Sequence, residues 1–202
     1  MTLSEKLEIP LFPLSVFLLP GERMQLHIFE PRYKQLFAEL EEGDNRFGIP
    51  YATGRVTRKF GSRCRLLRVI KRYSSGELDV LVESEGIFKL DDFQQMKEDK
   101  LYPFGKVSLL RELNREEVDE HVMQTYDAMC ENLSGSDLHF HTVESRSTLA
   151  ILSSLNASSE EKYRFVQLPD TASRNSCLLG MIRILDSLIL QEKATEEGFY
   201  LS

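Results

Sequence analysis

Residues 9–33 read IPLFPLSVFLLPGERMQLHIFEPRY, and this stretch decides the fold of the chain. Pro10, Pro13 and Pro20 interrupt its apolar part, and the preceding Lys6 lies between two glutamates. A secretory signal needs a basic start and an unbroken apolar centre, and a membrane-spanning helix needs about 20 apolar residues. The stretch meets neither requirement, so it is interpreted as core strands of a globular protein.

The order of residues within the stretch predicts two strands joined by a turn. Leu14–Leu19 is a short apolar run, and Pro20-Gly21 is a typical turn dipeptide. After the turn, apolar residues occupy every second position, which is the period of a half-buried strand: Met24, Leu26 and Ile28.

A helix is predicted to begin at Pro31, because proline fits the first helical position. Glu30 before it suits the positive end of a helix, and Gly43 is a candidate stop. The apolar residues between them share one helical face: Tyr33, Leu36, Phe37 and Leu40. Arg32 is expected to reach a carboxylate or a carbonyl on the strands, so its loss should lower thermal stability.

The rest of the first half has the pattern of a small sheet. Residues 74–77 form a hairpin loop, and the apolar face switches between Leu66 and Leu67, which predicts a β-bulge. Short alternating runs predict five further strands, at residues 46–51, 64–73, 78–83, 86–92 and 103–110.

From residue 112 onward the apolar residues recur with a helical period. Asn114 with Glu117, and Ser158 with Glu161, have the spacing of a capping box. Helices are therefore predicted in four segments, at residues 118–133, 145–155, 158–168 and 178–189.

The composition and the net charge disfavour several classes of protein. The 202 residues are 42% hydrophobic and carry a formal net charge of -7, which disfavours a nucleic-acid binder by bulk charge. Three cysteines, Cys64, Cys130 and Cys177, are odd in number and widely spaced. This pattern disfavours a disulfide framework and a zinc site and favours reduced thiols in the cytoplasm.

The sequence contains none of the common catalytic or phosphate-binding motifs. No glycine-rich loop ending in Lys-Ser or Lys-Thr, no G-x-S-x-G and no H-E-x-x-H occurs. The acid pairs at 91–92, 116–117 and 160–161 are interpreted as exposed turns or first helical turns. No catalytic residue and no cofactor is therefore assigned.

Asp137, His139 and His141 alternate and would share one face of a strand, where they could bind a metal. They follow Ser-Gly-Ser, which is typical of a loop, and no fourth ligand is evident. A polar connection between helices is the favoured interpretation, and no metal site is predicted.

Residues 55–72 contain eight lysines and arginines and no acid. Such a segment can bind phosphates or acidic peptides, and the candidate contacts are Arg63, Arg65 and Arg68. The favoured alternative is that these side chains pair with acids on neighbouring strands.

The opening stretch resembles the start of the N-terminal substrate-binding domain of Lon proteases. The resemblance rests on an ordered set of residues: Pro10, Phe12, Pro13, Pro20, Gly21, Phe29, Glu30, Pro31, Arg32 and Tyr33. It continues more weakly through Arg46-Phe47-Gly48 and into residues 76–90, GELDVLVESEGIFKL. There the family's Gly-x-x-Arg-Phe turn retains only Phe88.

The resemblance implies an α+β fold, with an N-terminal PUA-like β pseudo-barrel containing one short helix and a C-terminal α-helical bundle. The expected subdomains are residues 1–111 and 112–202, packed as one unit. Lon proteases continue into ATPase and Ser-Lys peptidase domains, and this chain is expected to resemble the stand-alone bacterial proteins that have neither.

The resemblance also implies a function: recognition of unfolded or specific polypeptides, or of a partner protein, without catalysis. Phe12, Phe17 and Phe29 are candidate contacts if they are exposed, although burial is expected for each. RNA binding through residues 55–72 of a PUA-like barrel is the alternative. No membrane partner is expected, and the oligomeric state is left open.

Overall fold

An antiparallel sheet that curls into a pseudo-barrel forms the first part of the chain. The computed structural model describes residues 6–54, 56–95, 99–133, 143 and 145–200, the last five by their backbone alone. The strands are β1 (Lys6–Pro10), β2 (Arg23–Ile28), β3 (Arg46–Thr53), β4 (Val56–Arg72), β5 (Leu78–Gln94) and β6 (Phe104–Leu109). Helix α1 (Pro31–Glu42) follows β2, and the short helix α2 (Arg111–Asn114) follows β6.

The strand order is β1-β6-β5-β4-β3, and β2 pairs with the first part of β5. Two parallel bridges, from Leu11 to Gly48 and from Leu14 to Tyr51, join the segment after β1 to β3. The Phe12 N–H donates to the Gly48 carbonyl at 2.8 Å. These bridges bring the two ends of the strand order together, which closes the barrel.

Leu14–Leu19 is not a strand, although its apolar run predicted one. The prolines at 10, 13 and 20 cannot donate to a ladder. A serine on β4 replaces part of the missing ladder: the Leu18 N–H donates to Ser62 Oγ at 2.8 Å, and Ser62 Oγ donates to the Leu18 carbonyl at 2.7 Å. The segment therefore lines the core as an extended chain held by side-chain hydroxyl groups.

The central hairpin is longer than predicted. Strand β4 begins at Val56 instead of residue 64, and the two strands predicted at 78–83 and 86–92 are the single strand β5. The predicted bulge is confirmed, because the β4–β5 register shifts between Leu66 and Arg68.

Helix α1 confirms its prediction. Glu30 is the N-cap residue, Pro31 is the first helical residue, and the helix ends before Gly43. Its apolar face is buried in the main core of the barrel, where Phe37 packs edge-on against Phe12 and Phe47 with ring centroids 5.8 and 5.4 Å apart.

Contact clustering divides the chain between Asn114 and Arg115 into two compact units. The second unit contains α3 (Glu120–Leu133), α4 (Thr148–Ser154), α5 (Ser159–Val166) and α6 (Thr171–Tyr200). The capping box of Ser158 and Glu161 is confirmed at the start of α5. The predicted stripe on α6 is buried at Leu178, Ile182 and Ile189, whereas Leu188 is 53% exposed.

The cap predicted at Asn114 is wrong. Asn114 ends α2, and its side-chain oxygen accepts a hydrogen bond from the Ile87 N–H at 3.3 Å. Helix α3 is capped instead by Asp119, whose Oδ1 accepts from the Val122 N–H at 2.9 Å.

Glu116 is also not the exposed turn residue that the sequence predicted. The Arg174 guanidinium donates to both of its carboxylate oxygens at 2.6 Å, and Thr171 Oγ1 donates to it at 2.7 Å. The Glu116 and Arg174 side chains are only 13% and 11% exposed. This nearly buried ion pair anchors the start of α6 to the segment before α3.

Candidate functional site

Strand β2 has one hydrogen-bonded neighbour, β5, in the part of the chain that the structure describes. The Ser84 N–H donates to the Glu22 carbonyl at 2.9 Å, and alternate residues of an antiparallel strand direct their N–H and C=O groups to opposite sides. The N–H and C=O groups of Arg23, Gln25 and His27 therefore point away from β5. We call this row of backbone groups the β2 edge.

The side chains of β2 alternate between the core and the surface. Met24 and Leu26 are half-buried and pack against the barrel core, while Arg23, Gln25 and His27 are exposed on the outer face of the sheet. The strand thus combines backbone groups that pair with no other described strand and an apolar inner side, which are the two features that an added strand requires.

An aromatic side chain lies at the end of the β2 edge. Phe29 is 59% exposed, and its ring stacks on His27 with centroids 6.1 Å apart. His27 Nδ1 lies 2.7 Å from Asp79 Oδ1, and the Tyr73 hydroxyl donates to Asp79 Oδ2 at 2.7 Å. Hydrogen bonds with His27 and Tyr73 hold the pKa of Asp79 below its usual value.

Two acids on β5 pair with four arginines of strands β2, β3 and β4. The Nε atoms of Arg23 and Arg65 donate to the two oxygens of Glu83, at 2.8 and 3.0 Å. These hydrogen bonds lower the pKa of Glu83. Arg46 Nε donates to Glu85 at 2.9 Å, and Arg63 Nε lies 3.9 Å from the same carboxylate.

Three arginines of the basic segment lie within 4.0 Å of a carboxylate. Arg63 and Arg65 face acids of β5, and Arg72 pairs with Glu41 of α1. Arg68 is exposed, and among the described residues no carboxylate lies within 4.0 Å of it. Arg55 lies outside the described residues.

Two of the three candidate phenylalanines are core residues. Phe12 is 6% exposed and Phe17 is 1% exposed, so neither ring is accessible to a ligand at the surface of this structure. Phe29 is the exposed member of the set, and it lies beside the β2 edge.

Residues of the opening motif line a cleft of about 240 Å³. The cleft lies between Arg32 and Phe93, and Pro13 and Pro103 are among its lining residues. Arg32 pairs with Glu30 at 2.8 Å, and its guanidinium carbon lies 4.5 Å from the centre of the Tyr33 ring. Contrary to expectation, Arg32 therefore pairs within its own corner, with Glu30 just before α1.

The structure predicts that Arg32→Ala changes stability little. The Arg32 and Glu30 side chains are 46% and 40% exposed, so solvent screens their attraction. Pairs of this kind contribute roughly 0.2–1 kcal/mol. Thermal unfolding followed by circular dichroism should show a shift of a few degrees at most, and a much larger shift would show that Arg32 stabilises the strand-to-helix corner as the sequence suggested.

The sequence analysis did not single out Arg23, Gln25 and His27 as site residues. Their alternation with apolar residues was visible, but the position of β2 at an edge follows from the strand order, which no local pattern encodes. Asp137, His139 and His141 lie outside the described residues. Within the described ranges, no cluster of His, Cys, Asp or Glu side chains has the arrangement of a metal site.

None of the described helices is both long enough and apolar enough to cross a membrane. Comparison with curated protein sequences gives no match.

The structure is similar to that of a Lon N-terminal domain protein from Xanthomonas campestris. The TM-score is 0.66 at 20% identity, over 86% of this chain and 98% of that one. It is also similar to the N-terminal domain of a Lon protease from the Mycobacterium avium complex. There the TM-score is 0.52 at 12% identity, over 90% and 97% of the two chains.

These likenesses confirm the predicted α+β fold, a β pseudo-barrel with helices at the C-terminal side. The family model of the ATP-dependent protease La (LON) substrate-binding domain matches residues 8–183. The match covers most of the 202 residues, including the opening motif, all of the barrel strands except the first two residues of β1, and the first part of α6. The chain therefore belongs to the Lon substrate-binding domain family.

Proposed function

We propose that the chain is a non-catalytic recognition module that binds extended polypeptide segments by strand addition to the β2 edge. The observation that carries the proposal is the set of backbone groups at Arg23, Gln25 and His27 that point away from β5. An added strand would pair with these groups, as in other complexes formed by strand addition.

Two neighbouring features support this mode of binding. The half-buried Met24 and Leu26 leave apolar surface on the inner side of the strand, where alternate side chains of an added segment can pack. Phe29 contributes an exposed ring at one end of the edge. Membership of a substrate-binding domain family is consistent with a polypeptide ligand.

The proposal includes a cytoplasmic location, which the three free cysteines support. Free thiols persist where the environment is reducing.

Gln25→Pro tests the proposal directly. Proline removes the Gln25 N–H, which points away from β5, and leaves the ladder to β5 intact, as is usual for proline on edge strands. We expect the affinity for reduced and alkylated α-lactalbumin, a permanently unfolded protein, to fall at least tenfold. Fluorescence anisotropy of the labelled client measures it.

Gln25→Val is the matched control, because valine retains the N–H and suits a strand. It should bind like the unmodified chain. Circular dichroism and thermal unfolding establish that the proline variant is folded. A folded Gln25→Pro chain that binds the client with unchanged affinity would rule out strand addition at this edge.

A further inference from the structure

We infer that the β2 edge selects segments in which an acidic side chain lies opposite Arg23 and apolar side chains lie opposite Met24 and Leu26. The inference rests on the proposed strand addition and names the class of polypeptide that it favours. It follows from the charges on the outer face of the β4-β5-β2 part of the sheet.

The first row of this face alternates in sign across three strands. Arg65 on β4, Glu83 on β5 and Arg23 on β2 are register partners, and both guanidinium groups hydrogen-bond to the one carboxylate. The Arg23 side chain is 63% exposed and is the last member of the row. The next strand outward would therefore meet a cation.

A second row lies four residues along β2. Lys71, Asp79 and His27 are register partners on the same three strands. The His27 side chain is 48% exposed, and two carboxylates lie beside it: Asp79 Oδ1 is 2.7 Å from its Nδ1, and Glu77 Oε2 is 3.6 Å from its Nε2. An acid on an added strand would meet these two carboxylates here, so this row gives it no attraction to match that of Arg23.

The row between them is different. Arg68, Leu81 and Gln25 are register partners, and the outermost of the three is uncharged. Directly opposed side chains on neighbouring strands attract when their charges are opposite and repel when they are alike. An added strand therefore gains from an acid opposite Arg23, and charge opposite Gln25 has little effect.

The inner side of the edge sets the remaining positions. Side chains of the added strand that lie opposite Met24 and Leu26 point to the same side as these two residues, which pack against the core. Apolar residues are favoured there. The resulting pattern is acid-apolar-any-apolar, read from the residue opposite Arg23. A peptide with an acid at both ends of this pattern places one acid opposite Arg23 whether it binds parallel or antiparallel to β2.

Three capped peptides test the inference: acetyl-SGEVTVEGS-amide and the variants in which both Glu are replaced by Gln or by Lys. Each is titrated at physiological ionic strength as a competitor of labelled, unfolded α-lactalbumin. We expect the Glu peptide to compete best, the Gln peptide at least threefold less well and the Lys peptide least. The Glu peptide N-methylated at Thr and at both Val should not compete, because an antiparallel strand needs the Thr N–H and a parallel strand needs the Val N–H groups to pair with β2.

The variant Arg23→Gln should bind the Glu and Gln peptides equally, since the cation that favours an acid is gone. Thermal unfolding checks that it is folded, and Arg65→Gln, which changes the same row two strands away, is the matched control and should keep the Glu preference. Equal competition by all three peptides would overturn the charge preference and leave the proposed function standing. Failure of every peptide while the client still binds would also overturn the inference, and failure of peptides and client alike would count against the proposed function itself.

Discussion

Arg174→Ala is expected to lower the free energy of unfolding of the second unit by about 3–5 kcal/mol, the usual cost of removing one partner of a buried ion pair. Arg174 donates to both oxygens of Glu116, and its Nη1 donates to the Leu168 carbonyl at 2.6 Å. Alanine would leave a nearly buried carboxylate and a carbonyl without these partners. Urea unfolding followed by circular dichroism measures the loss.

Replacing both members of the pair by apolar residues, as in Glu116→Met/Arg174→Met, should cost less than Arg174→Ala. The double variant leaves no unpaired buried charge, and such replacements are often close to neutral. A loss below about 1 kcal/mol for Arg174→Ala would contradict the buried-pair assignment, since that is the range of exposed pairs.

The same pair predicts a dependence on pH. Burial raises the pKa of Glu116, but hydrogen bonds from Arg174 and Thr171 outweigh it and hold the pKa below the ordinary value of 4.5. A carboxyl group with a lowered pKa stabilises the folded state fully above its unfolded pKa, and this stabilisation is lost as the pH falls through the folded value. The difference in stability between the original chain and Arg174→Ala should therefore shrink below about pH 4.5.

Gly61→Ala is the second substitution with a large expected effect. An added methyl group would lie 2.5 Å from the Ile49 carbonyl oxygen and 2.6 Å from both Pro50 Cα and Phe88 Cζ. Two of these atoms are backbone atoms of β3, so strands β3 and β4 would have to separate. Overpacking costs about 1–3 kcal/mol and sometimes more, and we expect a loss of about 3 kcal/mol.

Thermal unfolding measures this loss, which should lower the Tm of the barrel by roughly 12 °C or more for a unit of this size. Gly43→Ala is the matched control. Its methyl group would come no closer than 3.4 Å to the Glu39 carbonyl oxygen, and Gly43 has φ -127, which other residues adopt. If Gly61→Ala melts no lower than Gly43→Ala, the close approach of the two strands at Gly61 is not a constraint on the fold.

Local sequence patterns predicted many of the strands and helices. The alternation from Met24 to Ile28, the proline at the start of α1 and the face switch in β4 each predicted the observed element, because each reflects contacts within a few residues. The opening motif added the architecture, since it identified the family whose model matches residues 8–183.

The wrong predictions share a physical cause: each concerns residues whose partners are distant in the sequence. Leu14–Leu19 looked like a strand, but a serine on β4 takes its hydrogen bonds. Glu116 looked exposed because Arg174, its partner, is distant in the chain. The β2 edge could not be predicted either, because an edge exists only once the order of the strands is known.

The pairing of β1 with β6 has a consequence for how the barrel is synthesised. Lys6 lies opposite Ser108, so the first strand of the barrel meets its partner only after about a hundred further residues have been synthesised. The β4–β5 hairpin is closed by a short loop, and short loops cost little entropy to close, so it can form before β1 is paired. Strand β1 therefore lacks its partner until β6 emerges, and unpaired strands make nascent chains vulnerable to aggregation.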